Sequence, residues 1–309
     1  MKKIYKLNPT LHANIWGGNT LREYGKHSEA DRIGESWELS FVPGNEATTN
    51  DGTTTAQAFD RASWGKRCAE FESFPVLTKF IDAKDNLSVQ VHPSDDYALV
   101  HEGQYGKSEM WYVVAAEEGA GLYMGLSREC TAEEFSARVA DGTVEDVLSF
   151  KKVKPGDVFF IPAGTIHAIG SGTLIFEIQQ NSTLTYRLYD YMRRDKEGKL
   201  RELHIDKAMK VSSLSVYEPQ SHSENDKIIG ECKYFVTKRY KNEDFPLTLS
   251  VTDESYLALT NVRGEGEITY VREGISHTDR IALGDTFFAP AGSGEFTVNG
   301  DMTLITVET

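Results

Sequence analysis

The 309-residue chain has no apolar run long enough to cross a membrane, and it has few cysteines. Its start, MKKIYKLNPT, carries two lysines with no apolar run behind them, so it does not resemble a signal peptide. Cys68, Cys130 and Cys232 are far apart and form no C-x-x-C pair, which argues against a disulfide framework and a thiolate metal site. We therefore expect a cytoplasmic protein without membrane contact.

Positive charge is also scarce. Lys plus Arg number 33 against 47 Asp plus Glu, which gives a net charge of −14. This surplus would repel a polyanion, so we expect no nucleic-acid partner, although a small anion could bind where a few basic groups converge. Apolar content of 39% and aromatic content of 11%, without low-complexity tracts, are typical of a globular protein.

Helical patterns are few, and strand patterns dominate. Short segments rich in β-branched and aromatic residues are separated by Gly, Pro, Asn and Asp, which is typical of an antiparallel sandwich or barrel. Helices are predicted over 56–72 and after Thr131, where Glu134 completes a capping box. The predicted strands are 87–91, 110–115, 157–161, 173–178, 234–240, 256–262, 266–271 and 303–308.

One twelve-residue segment occurs twice. GDVFFIPAGTIH at 156–167 returns as GDTFFAPAGSGE at 284–295, with seven identical positions. A Gly-Asp turn, an aromatic strand and a Pro-x-Gly turn form scaffolding, which is repeated when a barrel is duplicated. The residue after the second turn differs, His167 in the first copy and Glu295 in the second. We therefore expect the chemistry in the first copy and a structural role for the second.

Strand alternation arranges the polar side chains of the first copy. In DNLSVQVHP, Ser88, Gln90 and His92 alternate with apolar residues and so share one face. In GKSEMWYVV, Lys107 and Glu109 likewise point the same way. If these strands line one barrel, their polar faces converge.

Four side chains would then make a metal-ligand set. Gln90, His92, Glu109 and His167 offer an amide, a carboxylate and two imidazoles, with a position left for water or substrate. Each ligand type suits zinc, and the same set is also compatible with iron or manganese. The remaining histidines have no spaced partner and are expected in solvent: His12, His27, His101, His204, His222 and His277.

These motifs resemble those of the type I mannose-6-phosphate isomerases of the short bacterial kind. The resemblance implies a mainly β fold with two cupin-like (jelly-roll) barrels and a few helices inserted in the N-terminal part. We predict a catalytic cupin domain with helical insertions over 1–220, a polar linker around 218–228, and a cupin-like domain without metal ligands over 229–309. The matching stretches are IWGGNTL (15–21), RIGESWELS (32–40), FPVLTKFIDAKDNLSVQVHP (74–93), GKSEMWYVV (106–114), VKPGDVFFIPAGTIHAIGSGTLIFEIQQNSTLTYRLYD (153–190) and RELH (201–204).

The resemblance also implies a function. It implies interconversion of mannose 6-phosphate and fructose 6-phosphate, with a catalytic arginine at Arg187 that also binds substrate. One zinc ion per chain would be held by the four residues named above. In place of the usual S-D-x-T-Y-R motif the chain has Thr183 at the aspartate position, so a carboxylate sometimes given an acid/base role is absent.

Three further residues match family positions in the active site or at the substrate phosphate. Lys79 and Ser88 could instead be a strand-end surface lysine and a satisfied barrel hydroxyl. Lys107 shares a face with Glu109 and is a candidate for both catalysis and substrate binding. As the base it would need a depressed pKa, and a zinc-bound hydroxide is the alternative.

Two other functions are compatible with the same architecture. A metal-dependent cupin oxygenase usually has H-x-H on the first strand, and Gln90 in that place argues against it. A sugar-binding protein without turnover would keep the pocket, and the missing aspartate favours that alternative. The sequence leaves open whether the chain is a monomer or a homodimer.

Overall fold

The computed structural model describes residues 2–195, 197–219, 222–223 and 225–309. The chain is mainly β, and nearly all of its strands pair antiparallel in three sheets, as the sequence predicts. Within these described ranges, no helix combines the length and apolar character needed to cross a membrane.

All the α-helices of the described chain lie before Ser212, and the two longest strands lie near the C-terminus. The first strands are β1 Tyr5–Asn8, β2 Thr10–His12, β3 Glu35–Leu39, β4 Thr48–Thr49, β5 Val76–Ala83, β6 Val89–Val91, β7 Glu109–Ala116, β8 Gly121–Leu126, β9 Leu148–Lys152, β10 Val158–Ile161, β11 His167–Ile169, β12 Thr173–Gln180 and β13 Tyr186–Tyr189. They are followed by β14 Ile228–Glu231, β15 Val236–Tyr240, β16 Leu247–Val251, β17 Leu257–Arg272, β18 Ile275–Ile281, β19 Thr286–Ala289 and β20 Gly294–Glu308. The helices are α1 Thr55–Ala58, α2 Arg61–Trp64, α3 Asp95–His101, α4 Ala132–Asp141 and α5 Ile205–Val211, with 3-10 turns at Thr20–Arg22, Lys66–Glu70, Val144–Val147 and Asn242–Asp244.

Two sheets face each other in the N-terminal part. A six-stranded sheet, ordered β10-β7-β12-β5-β3-β2, packs on a five-stranded sheet, ordered β13-β6-β11-β8-β9. Trp111 and Ile175 of the first sheet share one apolar cluster with Leu122 and Ile169 of the second. Burial of these side chains between the sheets gives the jelly-roll sandwich its core.

The third sheet has nine strands and contains the C-terminal part. Its order is β14-β15-β20-β17-β19-β1-β4, with β16 on β20 and β18 on β17. The two strands predicted at 256–262 and 266–271 are one strand, β17, because β20 pairs with it from Ala258 to Tyr270 across a bulge between Asn261 and Arg263. β1 and β4 join this sheet from the N-terminal end of the sequence. The division at 220 and 229 stays a prediction, and Gln220 lies outside the described residues.

Aromatic rings fill the contact between the sandwich and the nine-stranded sheet. Phe41 stacks on Phe74 with ring centroids 4.0 Å apart, and Phe74 contacts Tyr256 at 4.8 Å. Phe59 packs on Phe288 at 4.5 Å. These side chains are buried and belong to one apolar cluster that joins both parts.

The duplicated segment has the same local structure in both copies. Asp157 and Asp285 each accept a hydrogen bond from the backbone N–H three residues earlier, at 2.9 and 2.8 Å. The strands β10 and β19 then follow at equivalent positions. Gly164 and Gly292 occupy the left-handed region at φ 86° and 77°, which glycine adopts without the cost that a Cβ imposes. The repeated sequence therefore encodes a repeated piece of structure.

The prediction of one continuous helix over 56–72 is wrong, because the structure has three short helical segments there. α1 and α2 are single turns, and the 3-10 turn at Lys66–Glu70 follows them. Asp60 begins α2 as its N-cap, and Gly65 ends it at φ 94°, which no right-handed helix accommodates. The helix predicted after Thr131 is confirmed, with Gly142 as its left-handed C-cap. Thr131 accepts from the Glu134 backbone N–H, but the Glu134 carboxylate pairs with Arg128 and Arg138, so it does not complete the predicted capping box.

Candidate metal centre and active site

Strand register places three predicted site residues side by side in the five-stranded sheet. His167 on β11 is opposite Gln90 on β6, and Gln90 is opposite Arg187 on β13. Residues directly opposite on neighbouring strands project to the same face of a sheet. The register thus makes a polar row that crosses this sheet and faces the other one.

A second polar row lies on the six-stranded sheet. Lys79 on β5 is opposite Glu177 on β12, and Glu177 is opposite Trp111 on β7. Glu177 is 3% exposed, and its Oε2 accepts a hydrogen bond from Trp111 Nε1 at 3.1 Å. The two rows face each other across the sandwich.

His92, Glu109 and His167 meet between the rows. Their potential ligand atoms all lie within 4.8 Å of one another, and all three side chains are buried. Glu109 Oε1 is 3.3 Å from His167 Nε2, and Glu109 Oε2 is 3.5 Å from His92 Nε2. Ligand atoms about 2.1 Å from one tetrahedral ion stand roughly 3.4 Å apart, so these separations suit a shared ion.

The tautomers of both histidines are fixed by backbone carbonyls. His92 Nδ1 donates to the Leu184 carbonyl at 2.7 Å, and His167 Nδ1 donates to the Thr165 carbonyl at 2.9 Å. Each Nε2 therefore has its lone pair directed toward Glu109. Burial lowers the pKa of His92 well below its usual value and that of His167 to about 4, so both rings are neutral. Neutral imidazoles oriented in this way are the form that binds metal ions.

Glu109 has the environment expected of a metal ligand. It is fully buried, and apart from its ion pair with Lys107 neither of its oxygens accepts a hydrogen bond. Burial raises its pKa to about 7, and the neighbouring carboxylate of Glu177 adds to the rise. A buried carboxylate oxygen without a hydrogen-bond partner, as Oε1 is here, is costly, and coordination of a cation reduces that cost. The donor set therefore fits a divalent ion.

Gln90 adds a fourth polar group to this set. Its Nε2 lies 3.3 Å from His167 Nε2, and its Oε1 is 3.4 Å from Ser88 Oγ. Rotation of the terminal amide by half a turn would present Oε1, the end of the amide that binds a cation, to the same region. Gln90 is thus placed to be a ligand or to position one.

Two lysines stand beside the triad. Lys107 Nζ is 2.7 Å from Glu109 Oε2 and 3.6 Å from Glu177 Oε1, and Lys79 Nζ is also 3.6 Å from Glu177 Oε1. Burial acts to lower the pKa of Lys107, but the two carboxylates outweigh it and raise the pKa overall. For Glu177, burial opposes the lysines, and the lysines prevail and lower the pKa. The result is a buried, alternating array of fixed charges.

Lys79, Lys107 and Glu177 of this array line a cavity of about 130 Å³. Arg187 lies at its other side, where Nε donates to Ser88 Oγ at 3.3 Å and Nη1 donates to the Glu202 carbonyl at 2.9 Å. The charged side chains that line the cavity are Glu35, Lys79, Lys107, Glu177, Arg187 and Arg201. A polar pocket with convergent charges of both signs, next to a metal-binding group, is the setting of an active site.

The sequence prediction missed three of these lining residues. Glu177 had a signal, because a charged residue in the apolar run TLIFEIQQ must be satisfied inside the fold. Glu35 and Arg201 had none beyond their place in matching stretches, since only the tertiary structure brings them to the cavity.

The histidines expected in solvent divide into two groups. Three are exposed, as predicted: His27, His101 and His277. His12 instead packs against Trp37 with ring centroids 4.4 Å apart, and His204 accepts a hydrogen bond from the Arg187 backbone N–H at 3.3 Å. His222 is also half-buried. The expectation was therefore wrong for His12, His204 and His222, each of which is only partly exposed.

The second copy of the repeated segment does not form a comparable centre. Glu295, which corresponds to His167, is exposed on β20. Within the part of the chain that the structure describes, His92, Glu109 and His167 are the one group of three such side chains close enough to share an ion.

Known proteins resemble this chain along nearly its whole length. Mannose-6-phosphate isomerase ManA of Bacillus subtilis is 36% identical over 307 residues, which cover 94% of each chain. Mannose-6-phosphate isomerase of Streptococcus mutans is 34% identical and covers 97% of this chain and 96% of its own. The crystal structure of the mannose 6-phosphate isomerase from Bacillus subtilis superposes with a TM-score of 0.87 at 32% identity, over 99% of both chains.

The fold and the site define a cupin-type enzyme with a buried centre able to bind a metal ion. The family model of the phosphomannose isomerase type I catalytic domain matches residues 4–117. With the similarity over the rest of the chain, this shows that the protein belongs to the type I phosphomannose isomerase family. The resemblance noted from the sequence is thereby confirmed.

Proposed function

We propose that the chain interconverts mannose 6-phosphate and fructose 6-phosphate, with one zinc ion held by Gln90, His92, Glu109 and His167. The observation that carries the proposal is the buried His–Glu–His group, whose potential ligand atoms converge beside the charged cavity. Family membership supports the reaction, and the nitrogen and oxygen donors suit zinc. The cytoplasmic location stays a prediction from the sequence.

Interconversion of an aldose and a ketose moves a hydrogen between C1 and C2 through an enediol. It requires a group that accepts a proton from carbon and positive charge near the oxygen on which negative charge develops. A bound zinc ion would supply Lewis acidity toward that oxygen.

Two buried residues supply the remaining requirements. Glu177 Oε1 accepts no hydrogen bond and faces Lys107 and Lys79. We therefore assign Glu177 as the base that accepts the proton from carbon. Lys107 forms an ion pair with Glu109, and we assign it as the group that donates a proton to the substrate oxygen. Thr183, at the position where relatives commonly have aspartate, is exposed, so the proton groups of this chain come from the sandwich interior.

These groups also bear on the two alternatives. A sugar-binding protein has no need for a buried lysine and carboxylate poised 3.6 Å apart at its pocket. An oxygenase would need a site that binds and activates oxygen, and Gln90 replaces the second histidine usual on its first strand.

Metal removal tests the proposal directly. We expect the protein as isolated to form fructose 6-phosphate from mannose 6-phosphate in a coupled assay. Dialysis against a chelator should abolish this activity, and added zinc should restore it. Metal analysis of the same samples should track the activity. Full turnover in demonstrably metal-free protein would reject the zinc mechanism, and saturable sugar-phosphate binding without product would favour the binding protein.

Arg187 provides a second prediction. Replacement of Arg187 by Ala should lower kcat by about 10²–10³-fold, the usual effect of removing a preorganised charge from an active site. Arg187→Lys keeps the charge but loses the fork that engages Ser88 and the Glu202 carbonyl, so it should recover only part of the rate. Zinc content should stay at the wild-type level in both variants. Unchanged kcat in Arg187→Ala would remove this residue from the catalytic group.

A further inference from the structure

The RELH segment, residues 201–204, lies along strand β13 and continues the polar row. His204 backbone N–H donates to the Arg187 carbonyl at 2.7 Å, and Arg187 N–H donates to His204 Nδ1 at 3.3 Å. The row therefore runs from His167 through Gln90 to Arg187, and then to this segment. Its first residue, Arg201, lines the same cavity as Lys107 and Gln90.

Asp190 fixes the position of Arg201. This carboxylate is 5% exposed, and its two oxygens accept hydrogen bonds from Arg201, one of them from Nε at 2.6 Å. Arg193 binds the same carboxylate. Asp190 occupies Nε and one Nη of Arg201, and the other Nη makes no hydrogen bond to a described residue. A guanidinium held in this way loses little further freedom when it binds an anion.

Positive charge exceeds negative charge at this end of the cavity. One buried carboxylate, Asp190, serves two guanidinium groups, and Arg187 is a third nearby. Burial lowers the pKa of Arg187, and Arg201 lowers it further, which reflects the crowding of like charges. The side chain of Glu202 is 83% exposed, so water screens its charge and it compensates the guanidinium groups only weakly. In a protein of net charge −14, this excess is a local feature that attracts a small dianion.

We propose that Arg201, positioned by Asp190, binds the phosphate group of the substrate and sets the preference of the enzyme for phosphorylated sugars. The inference rests on the proposed function for its choice of substrate. A hexose 6-phosphate carries its phosphate at the opposite end of the carbon chain from C1 and C2. When C1 and C2 lie at the metal centre, the phosphate-bearing end of the substrate extends along the polar row toward Arg201. Asp190 leaves the other Nη of Arg201 free to donate to a phosphate oxygen, and hydrogen bonds between charged groups are shorter and stronger than those between neutral groups.

Arg201→Met tests the inference, because methionine keeps much of the length but has no charge. We expect kcat/KM for mannose 6-phosphate to fall about 10–100-fold, as when a hydrogen bond to a charged group is lost. The inhibition constant of inorganic phosphate should rise by a similar factor. Activity toward unphosphorylated mannose should not fall, and Arg201→Lys should recover part of the phosphate affinity.

Two matched variants separate phosphate binding from a structural role. Arg193→Met also removes a partner of Asp190 but not a residue that lines this cavity, and Arg194→Met changes an exposed arginine of the same loop. Arg194→Met should keep the wild-type affinity for inorganic phosphate, measured by calorimetry, and Arg193→Met, which loses a nearby charge but no residue of this cavity, should lose clearly less affinity than Arg201→Met. Equal loss in Arg193→Met and Arg201→Met would overturn the inference, as would an Arg201→Met protein with unchanged phosphate affinity.

The same calorimetric titration distinguishes this inference from the proposed function. A wild-type protein that binds inorganic phosphate through Arg201 but forms no fructose 6-phosphate would refute the isomerase and support the anion site. An active isomerase whose phosphate affinity does not depend on Arg201 would support the isomerase and refute the anion site.

Discussion

Replacement of His167 by Ala should remove the metal ion and with it the activity. His167 Nε2 is one of two imidazole donors that face Glu109, and no other histidine stands near enough to replace it among the described residues. Loss of a partner outside the ligand shell already costs about 10–100-fold in metal affinity, so loss of a ligand should cost at least about 100-fold. Metal content per chain, measured on purified protein, checks the result.

Glu295→Ala is the matched control. Glu295 has the corresponding position in the second copy of the repeated segment, where its side chain is exposed. We expect wild-type metal content and activity in this variant. Because a ligand that binds only the folded state stabilises it, added zinc should raise the Tm of wild type and Glu295→Ala but not that of His167→Ala. Equal loss of metal in the two variants would contradict our assignment of the second copy.

Replacement of Lys26 by Met should cause the largest loss of stability. Lys26 Nζ pairs with Glu38 Oε2 at 2.9 Å and donates to the Gly284 carbonyl at 2.7 Å. The side chains of Lys26 and Glu38 are 6% and 0% exposed. Removal of one partner leaves a buried charge unpaired, so the free energy of unfolding should fall by about 3–5 kcal/mol. Denaturation in urea, followed by fluorescence, measures this change.

The contacts of Glu38 explain why this pair matters for assembly of the two parts. Ser36 donates to Glu38 Oε1 at 2.6 Å, and Thr286 of β19 donates to Oε2 at 3.1 Å. Glu38 lies in RIGESWELS, whereas Gly284 and Thr286 belong to the second copy of the repeat. The second copy therefore carries a buried polar contact between the sandwich and the nine-stranded sheet, where the first copy carries a metal-binding histidine.

Lys66→Met is the control for this prediction. Lys66 also joins the two parts of the chain, through ion pairs with Asp253 at 2.6 Å and Glu254 at 3.1 Å. Its side chain is 64% exposed, so water replaces the lost partners and the effect should be much smaller. The double variant Lys26→Met with Glu38→Leu should regain most of the stability, because it leaves no unpaired charge. Similar losses from both lysine variants would show that burial of the Lys26 pair has no special effect.

Local pattern was sufficient for much of the fold. Short strand segments separated by turn residues predicted the antiparallel class. Strand alternation predicted that Lys107 and Glu109 share a face, and their charged groups lie 2.7 Å apart. The repeated segment predicted the duplicated turns. The length of individual strands was less predictable. β17 covers two predicted strands because β20 pairs with it from Ala258 to Tyr270.

The sequence by itself determined which side chains share a strand face, and hence the candidate metal ligands. Tertiary structure decided which faces meet. Glu177 contacts Trp111, 66 positions away, and Glu38 contacts Thr286, 248 positions away. Arg201 is held by Asp190 across a loop. No short-range period in the sequence records such contacts. The physical reason is that pairing and burial of charge depend on the facing sheet, whose distance and direction are set by packing of the whole core.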